Sequence, residues 1–408
     1  MKSFHWLRFR ISVASWTGVV VLGVTALCAA RDDAPDNEST LSAAVDGSIR
    51  FLSTESFDLP LDTEAGEHQV EGEEEAIRNS KAILLKVVEN AYGDGKKQKK
   101  QQPLRDVHAL SPGCVRAKVI VPNLVADLRQ GVFATATTYD ALIRFSNGDG
   151  VGAGHAPEED SKSMMRGMAI KMLGIEGKKL LGSQQDATTQ DFLLVNRSEF
   201  FLRNIVDYSG AMASVDHQFS GFLFHHPTTA AYVLWRGLGM KLFEWFDKNQ
   251  IDNPLNTSYY SKLPFRFGPL VVKYRTRPCN PVPVVVPSDP PPRYLRAAMK
   301  AKLDPSKDGD KEGACFVLEL QRRNGEPIED ATVHWNAPFE EIARISVPKQ
   351  NFDTDEENMA CENLSYTPWH TLTEHRPLGS LNRARYVVYS VLSKFRLSEN
   401  AVPLQEPK

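Results

Sequence analysis

Ala141-Leu142-Ile143-Arg144-Phe145-Ser146 and Gly167-Met168-Ala169-Ile170-Lys171-Met172-Leu173 are two short, mostly apolar runs, each carrying one basic residue and bounded by turn-forming residues. Runs of this length between turns read as β-strands rather than helices. In a strand, Arg144 and Ser146 share one face while Ile143 and Phe145 share the other. Outward from this pair, strand-type runs recur at 114–121, 191–196, 269–276, 314–321 and 341–347. Seven short strands with modest connections favour an antiparallel barrel or sandwich over a βαβ fold. Helical patterns interrupt them. The first opens at Glu73-Glu74-Glu75, where acids suit the positive end of the helix dipole, carries Ile77, Leu84, Val87, Val88 and Ala91 on one stripe and stops near Gly93. Others are predicted at 201–214, 228–246, 293–303 and 381–395. The stretch 281–292 holds six prolines and is predicted to cross as a polyproline-like linker. The expected class is α+β.

The chain has 408 residues, 48 Lys+Arg against 51 Asp+Glu, and a formal net charge of -3. That near balance argues against nucleic acid as the main partner. A mean hydropathy of -0.34 leaves no room for several membrane spans. Residues 1–30 stand apart. Lys2, Arg8 and Arg10 give a basic start, 11–30 are nearly free of charge, and Ala26-Leu27-Cys28-Ala29-Ala30 supplies small residues at the end. This pattern describes a secretory signal peptide cleaved after Ala30, so the expected location is periplasmic, secreted or lumenal. An uncleaved anchor, with membrane association through residues 11–30, is the alternative, because about twenty apolar residues can span a bilayer. A lipoprotein at Cys28 is disfavoured by the bulky Leu27. Residues 31–72 are polar and acidic and read as a poorly ordered leader, 73–400 as the folded domain and 401–408 as a tail. Lys96, Lys97, Lys99 and Lys100 read as a solvated basic run. Cys114, Cys279, Cys315 and Cys361 lack metal-knuckle spacing. One or two disulfides, or four thiols, are both compatible with that spacing.

Four segments carry candidate chemistry. Arg385, Tyr389 and Arg396 sit at i, i+4 and i+11 on the last predicted helix, within roughly 40° of one another at about 100° per residue. A phenol one turn from a fixed guanidinium is favoured in its ionised form, and a tyrosinate is one of the few protein ligands that hold a haem iron. The second arginine would then suit a haem propionate. His108, before the turn Ser111-Pro112-Gly113, is of the type best suited to accept and return a peroxide proton near neutral pH. Arg144 and Ser146 place a cation and a hydroxyl on one strand face. Asn196 ends the apolar run 192–195 ahead of Phe200-Phe201 and offers a carboxamide among aromatics.

In this order these segments resemble the haem catalase superfamily over roughly residues 75–400. Arg105-Asp106-Val107-His108-Ala109 is similar to the family's distal-histidine stretch. Ile143-Arg144-Phe145-Ser146 resembles its Arg-Phe-Ser strand, and Arg166-Gly167-Met168-Ala169-Ile170-Lys171 the strand that follows. Asn196 with Phe200-Phe201-Leu202-Arg203 resembles the distal-asparagine segment, and Arg385-Tyr389-Arg396 the proximal helix. The resemblance implies an antiparallel β-barrel surrounded by helices, without a C-terminal flavodoxin-like domain, holding haem b with ferric iron. It implies Tyr389 as axial tyrosinate supported by Arg385, propionates on Arg105, Arg144 and Arg396, His108 as proton carrier backed by Ser146, and Asn196 steering the peroxide. Cys361-Glu362-Asn363-Leu364-Ser365-Tyr366-Thr367-Pro368-Trp369-His370 and Glu374-His375-Arg376-Pro377-Leu378-Gly379 look more like the short branch that includes coral allene oxide synthases. Val107, in contrast, is the residue of true catalases, where the synthases carry Thr. The implied activity is therefore haem-dependent decomposition of hydrogen peroxide or organic hydroperoxides, a peroxidase or catalase role in the oxidative stress response. The alternatives are a fatty-acid (lipid) hydroperoxide isomerase or lyase, and a haem-binding protein with little turnover. Export gives the first test: N-terminal sequencing of the mature chain should read from near Arg31 in a non-cytoplasmic fraction, and Met1 on a soluble cytoplasmic form would overturn the signal-peptide reading.

Overall fold

A computed structural model describes residues 56–97, 105, 107–148, 160–163, 165–215, 251–286, 288–307 and 313–407. The signal segment 1–30, leader residues 31–55 and the helix expected at 228–246 lie outside the described residues. The strands are β1 (Gly113–Val121), β2 (Thr137–Asn147), β3 (Arg166–Leu173), β4 (Thr189–Val195), β5 (Tyr259–Tyr260), β6 (Phe265–Phe267), β7 (Leu270–Pro278), β8 (Ala314–Arg322) and β9 (Phe339–Val347). All pairings between them are antiparallel, in the order β5-β4-β3-β2-β1-β9-β8-β7-β6. A further pairing of β5 with β7, Tyr260 opposite Arg275, closes a ring of eight strands, with β6 added beside β5 on the same edge of β7. Eight strands leave an interior just wide enough for side chains to fill. Val115, Ala117, Val119, Ile143, Phe145, Met168, Ile170, Phe192, Tyr274, Phe316, Leu318 and Ile345 form one continuous apolar core. All seven predicted strands are present. β5 and β6 are too short to show in the pattern and are set by the barrel's need to close.

Alternation decides where chemistry can sit. With Ile143 and Phe145 inside, Arg144 and Ser146 lie on the outer wall of β2, and both are buried there beneath other chain segments. In the same way Lys171 of β3 lies outside the core and pairs with Asp191 of β4 at 2.6 Å. The candidate strand residues thus lie on the outside of the barrel, beneath other chain segments.

Five helices are described: α1 (Glu73–Lys97), α2 (Ile205–Val215), α3 (Tyr294–Leu303), α4 (Asp355–Asn363) and α5 (Ser380–Glu399). α1 runs past the expected stop at Gly93 and keeps helical backbone through Gly95, although each glycine costs about 1 kcal/mol against alanine. α2 begins at Ile205 rather than 201. α4 was not anticipated; its Thr354 cap accepts from the Glu357 amide, with three acids in the first turn. The Pro-rich stretch from 281 to 286 has no regular structure, as expected.

Residues 56–72 depart from the expected disordered leader, because they supply buried charge to α5. The carboxylate of Glu67 accepts from the Gly379 amide at 2.7 Å, and that of Glu329 from the Ser380 amide at 2.6 Å. Both satisfy orphan donors at the positive end of α5. Gly379 stands at φ 88 with an added Cβ only 2.9 Å from the Ile328 carbonyl oxygen, so only glycine fits. One residue further in, Arg383 is 1% exposed and bridges Glu67 (2.7 Å), Glu73 (2.6 Å) and Glu329 (3.0 Å). This one guanidinium joins the leader, α1, the 329 loop and α5. Two disulfides complete the frame, Cys114–Cys361 and Cys279–Cys315. The first joins the start of β1 to the end of α4; the second ties the end of β7 to the start of β8. Arg383→Gln leaves three acids without their shared cation, and loss of one partner in a buried ion cluster costs about 3–5 kcal/mol. Urea unfolding should show a loss of that order, and an unchanged midpoint would contradict the clamp.

Candidate functional site

Residues 107–110 lie over the outer wall of β2 because Arg144 holds them there. Its Nη1 donates to the His108 carbonyl at 2.9 Å and its Nη2 to the Ala109 carbonyl at 3.1 Å. His108 is thereby fixed at φ 59, a left-handed conformation that costs a non-glycine residue of order 1 kcal/mol or more. From that position Nδ1 meets Ser146 Oγ at 2.9 Å. Gly167, the cross-strand partner of Ser146, makes room for the pair. A Cβ at Gly167 would sit 2.5 Å from Ser146 Oγ and 2.7 Å from His108 Nδ1. Burial first, and then the charges of Arg144, Lys262, Arg385 and Arg105, push the His108 imidazole down to about 3. At neutral pH it is uncharged, with one ring nitrogen able to accept a proton.

Arg105, Arg144 and Arg396 come from the 105 turn, β2 and α5, and meet at Glu362 just beyond Cys361. The Glu362 carboxylate takes Arg105 Nη1 at 2.5 Å and Arg144 Nη2 at 2.9 Å. Arg396 donates to the backbone carbonyls of Glu362 and Leu364, the latter at 2.9 Å and shared with Arg105 Nη2 at 2.7 Å. The disulfide explains the placement, since Cys114 lies opposite Arg144 in the β1–β2 register and Cys361 precedes Glu362. Burial alone would raise the Glu362 carboxyl, but the charges of Arg144 and Arg105 outweigh it and hold it at about 2. Burial lowers Arg105 to about 9 and Arg396 to about 10. Three desolvated guanidiniums facing one carboxylate leave an excess of two positive charges. Beside them the buried Tyr366 hydroxyl has no hydrogen-bond partner among the described residues.

On α5, Arg385 Nη2 donates to the Tyr389 hydroxyl at 3.2 Å and Nη1 to Asn382 Oδ1 at 3.1 Å. Asn382 is locked in turn by the carbonyls of Pro264 and Leu378 and by Trp369 Nε1 on its own carbonyl. Tyr389 is half-buried. Asn196 is held differently from the other candidates: its Oδ1 accepts from the Arg166 amide at 2.7 Å, so the carboxamide closes the β3–β4 edge.

The predicted residues therefore fall into a His108–Ser146 pair, an arginine cluster and an Arg385–Tyr389 pair. Arg144 joins the first two directly. Arg385 lies near enough to His108 for its charge to act on the imidazole. This donor set fits a haem: a dianion matches the excess of two positive charges, and the phenol is the atom type that would take iron. Glu362 and Lys262 were missed by sequence reasoning. Neither has a local pattern, and each matters only through partners remote in the chain.

No protein-family model and no curated protein sequence matches this chain. Solved structures do. A fungal catalase is similar with a TM-score of 0.57 and 16% identity, over 76% of this chain and 62% of that one. Catalase A from Saccharomyces cerevisiae is similar with a TM-score of 0.56 and 15% identity, over 76% and 65%. A bacterial catalase follows at 0.50 and 15%, over 74% and 59%. The chain thus spans less than two thirds of the length of the catalases it matches. Identity this low speaks to architecture, and the architecture is a catalase-like β-barrel core with surrounding helices.

Proposed function

We propose that this protein is a haem-dependent peroxide-decomposing enzyme of the catalase or peroxidase type. The observation that carries the reading is the convergence of Arg105, Arg144 and Arg396 on Glu362, with two positive charges in excess, against the same turn that carries His108. A dicarboxylate cofactor answers that excess. The catalase-like fold supports the reading, as does the match between the site residues and the segments that resemble the superfamily.

In this reading Tyr389 would hold the iron through its phenol oxygen, and the Arg385 guanidinium, which donates to that oxygen at 3.2 Å, would support it. Arg105, Arg144 and Arg396 would hold the propionates. When bound, the haem supplies the redox chemistry that splits the peroxide O–O bond. The chain's own part is proton handling. His108, uncharged at neutral pH, accepts the proton from one peroxide oxygen and delivers it to the other, while Ser146 fixes its ring plane. Asn196 orients the peroxide with the part of its carboxamide not committed to β3. Two disulfides support an oxidising compartment and so the exported location.

Tyr389→Phe removes the proposed iron ligand and should abolish haem retention or change its spectrum, as read by visible absorption after reconstitution. Retention of the wild-type spectrum would exclude Tyr389 as ligand. His108→Gln should keep haem, since Tyr389 and the arginines hold it, while peroxide turnover drops by about 10²–10⁴-fold. Oxygen evolution from hydrogen peroxide, set beside product analysis with a lipid hydroperoxide, measures this loss and identifies the preferred peroxide. Unchanged turnover would exclude the proton-carrier role.

A further inference from the structure

A second cleft, of about 330 Å³, opens where β5 meets β7, between the 198–199 turn and the 334–339 loop. Lys262 and Lys273 line it, each no more than 7% exposed. Among the described residues neither ammonium lies within ion-pair distance of a carboxylate. Lys262 Nζ reaches only Met165 Sδ at 3.6 Å and the Phe200 ring at 5.3 Å. Lys273 Nζ reaches the Val333 carbonyl at 3.4 Å and the Trp335 ring at 4.7 Å. The indole Nε1 of Trp335, also a lining residue, is buried with no acceptor among the described residues. The Trp335 indole thus lacks any acceptor among the described residues, and the two ammoniums have one long contact each and no carboxylate, a costly arrangement unless a ligand completes it.

The charges limit the ligand. Arg275 shares Glu319 with Arg277, at 2.7 and 2.9 Å. Glu199, at the rim, pairs with His334. Neither carboxylate lies within ion-pair distance of the two lysines, so the lining calls for an anion. Tyr260, Trp335 and Phe339 add apolar wall. At the ~30 Å³ that each water takes up in the liquid, the space holds roughly ten non-hydrogen atoms.

We propose that this cleft binds an organic monocarboxylate with a short apolar body, its carboxylate held by Lys262 and Lys273. Lys262 also acts electrostatically on His108, so the cleft adjoins the site described above. Burial lowers both ammoniums to about 8, Lys262 with help from Arg197 and Arg385 and against Glu199, Lys273 against Glu199, Glu326 and Asp330. The cleft is therefore cationic at neutral pH and below and loses charge as pH rises through about 8.

Calorimetric titration of the full chain with octanoate tests this directly. One site is expected at pH 7, weakened at pH 9.5, with octanamide failing to bind. Lys262→Met and Lys273→Met should each cost about tenfold or more in affinity, Lys273→Arg should retain binding, and Glu199→Gln should tighten it. Octanamide binding as well as octanoate, an affinity indifferent to both methionine variants, or inorganic phosphate binding where octanoate does not would each overturn the proposal. His108→Gln should leave octanoate affinity unchanged, so failure of the catalytic reading and failure of this site are read separately.

Discussion

Three guanidiniums drawn from distant parts of the chain meet at Glu362, two on its carboxylate and one on its backbone carbonyl, and much of the molecule is arranged to make that meeting tolerable. Arg144 is 3% exposed on the outer wall of the barrel, where an isolated charge would be prohibitively costly. Glu362 supplies part of the compensation, and the carbonyls of His108 and Ala109 the rest. The same contacts hold residues 107–110 over β2 and His108 in a conformation its backbone would not choose. The Cys114–Cys361 disulfide keeps the anion opposite its cations. Position of the candidate base, orientation of α4 and the surplus of positive charge thus follow from one buried cluster.

That surplus also contributes to the electrostatics around His108. Burial first, and then the charges of Arg144, Lys262, Arg385 and Arg105, keep the imidazole neutral well into acid. A neutral ring among fixed positive charges accepts a proton only transiently, which suits a carrier that must return it. Lys262 belongs to this set and to the neighbouring cleft at once, so whatever anion the cleft takes would change the field at the candidate base.

The strands were legible because their alternation is enforced by the core: Val115, Ile143, Phe145, Met168 and Ile345 must point inward. The grouping of Arg144 with Ser146, and of Arg385 with Tyr389, was legible for the same reason, since strand and helix periods fix which side chains share a face. α4 could have been found from Thr354 and the acids after it. By contrast, the ordering of 56–72 was not readable, because a polar, acidic stretch looks disordered until Arg383 is known to need Glu67.

The sequence by itself determined the seven longer strands, most helix segments, the apolar faces and the local pairs, because all of these depend on residues a few positions apart. Closure of the ring through β5, the meeting of Arg105, Arg144 and Arg396 at Glu362, the choice of disulfide partners and the pairing of Lys262 with Lys273 were decided only by the tertiary structure. Each joins groups far apart in the chain, and the energy of a buried charge depends on which other charges are brought beside it, a quantity no local pattern encodes.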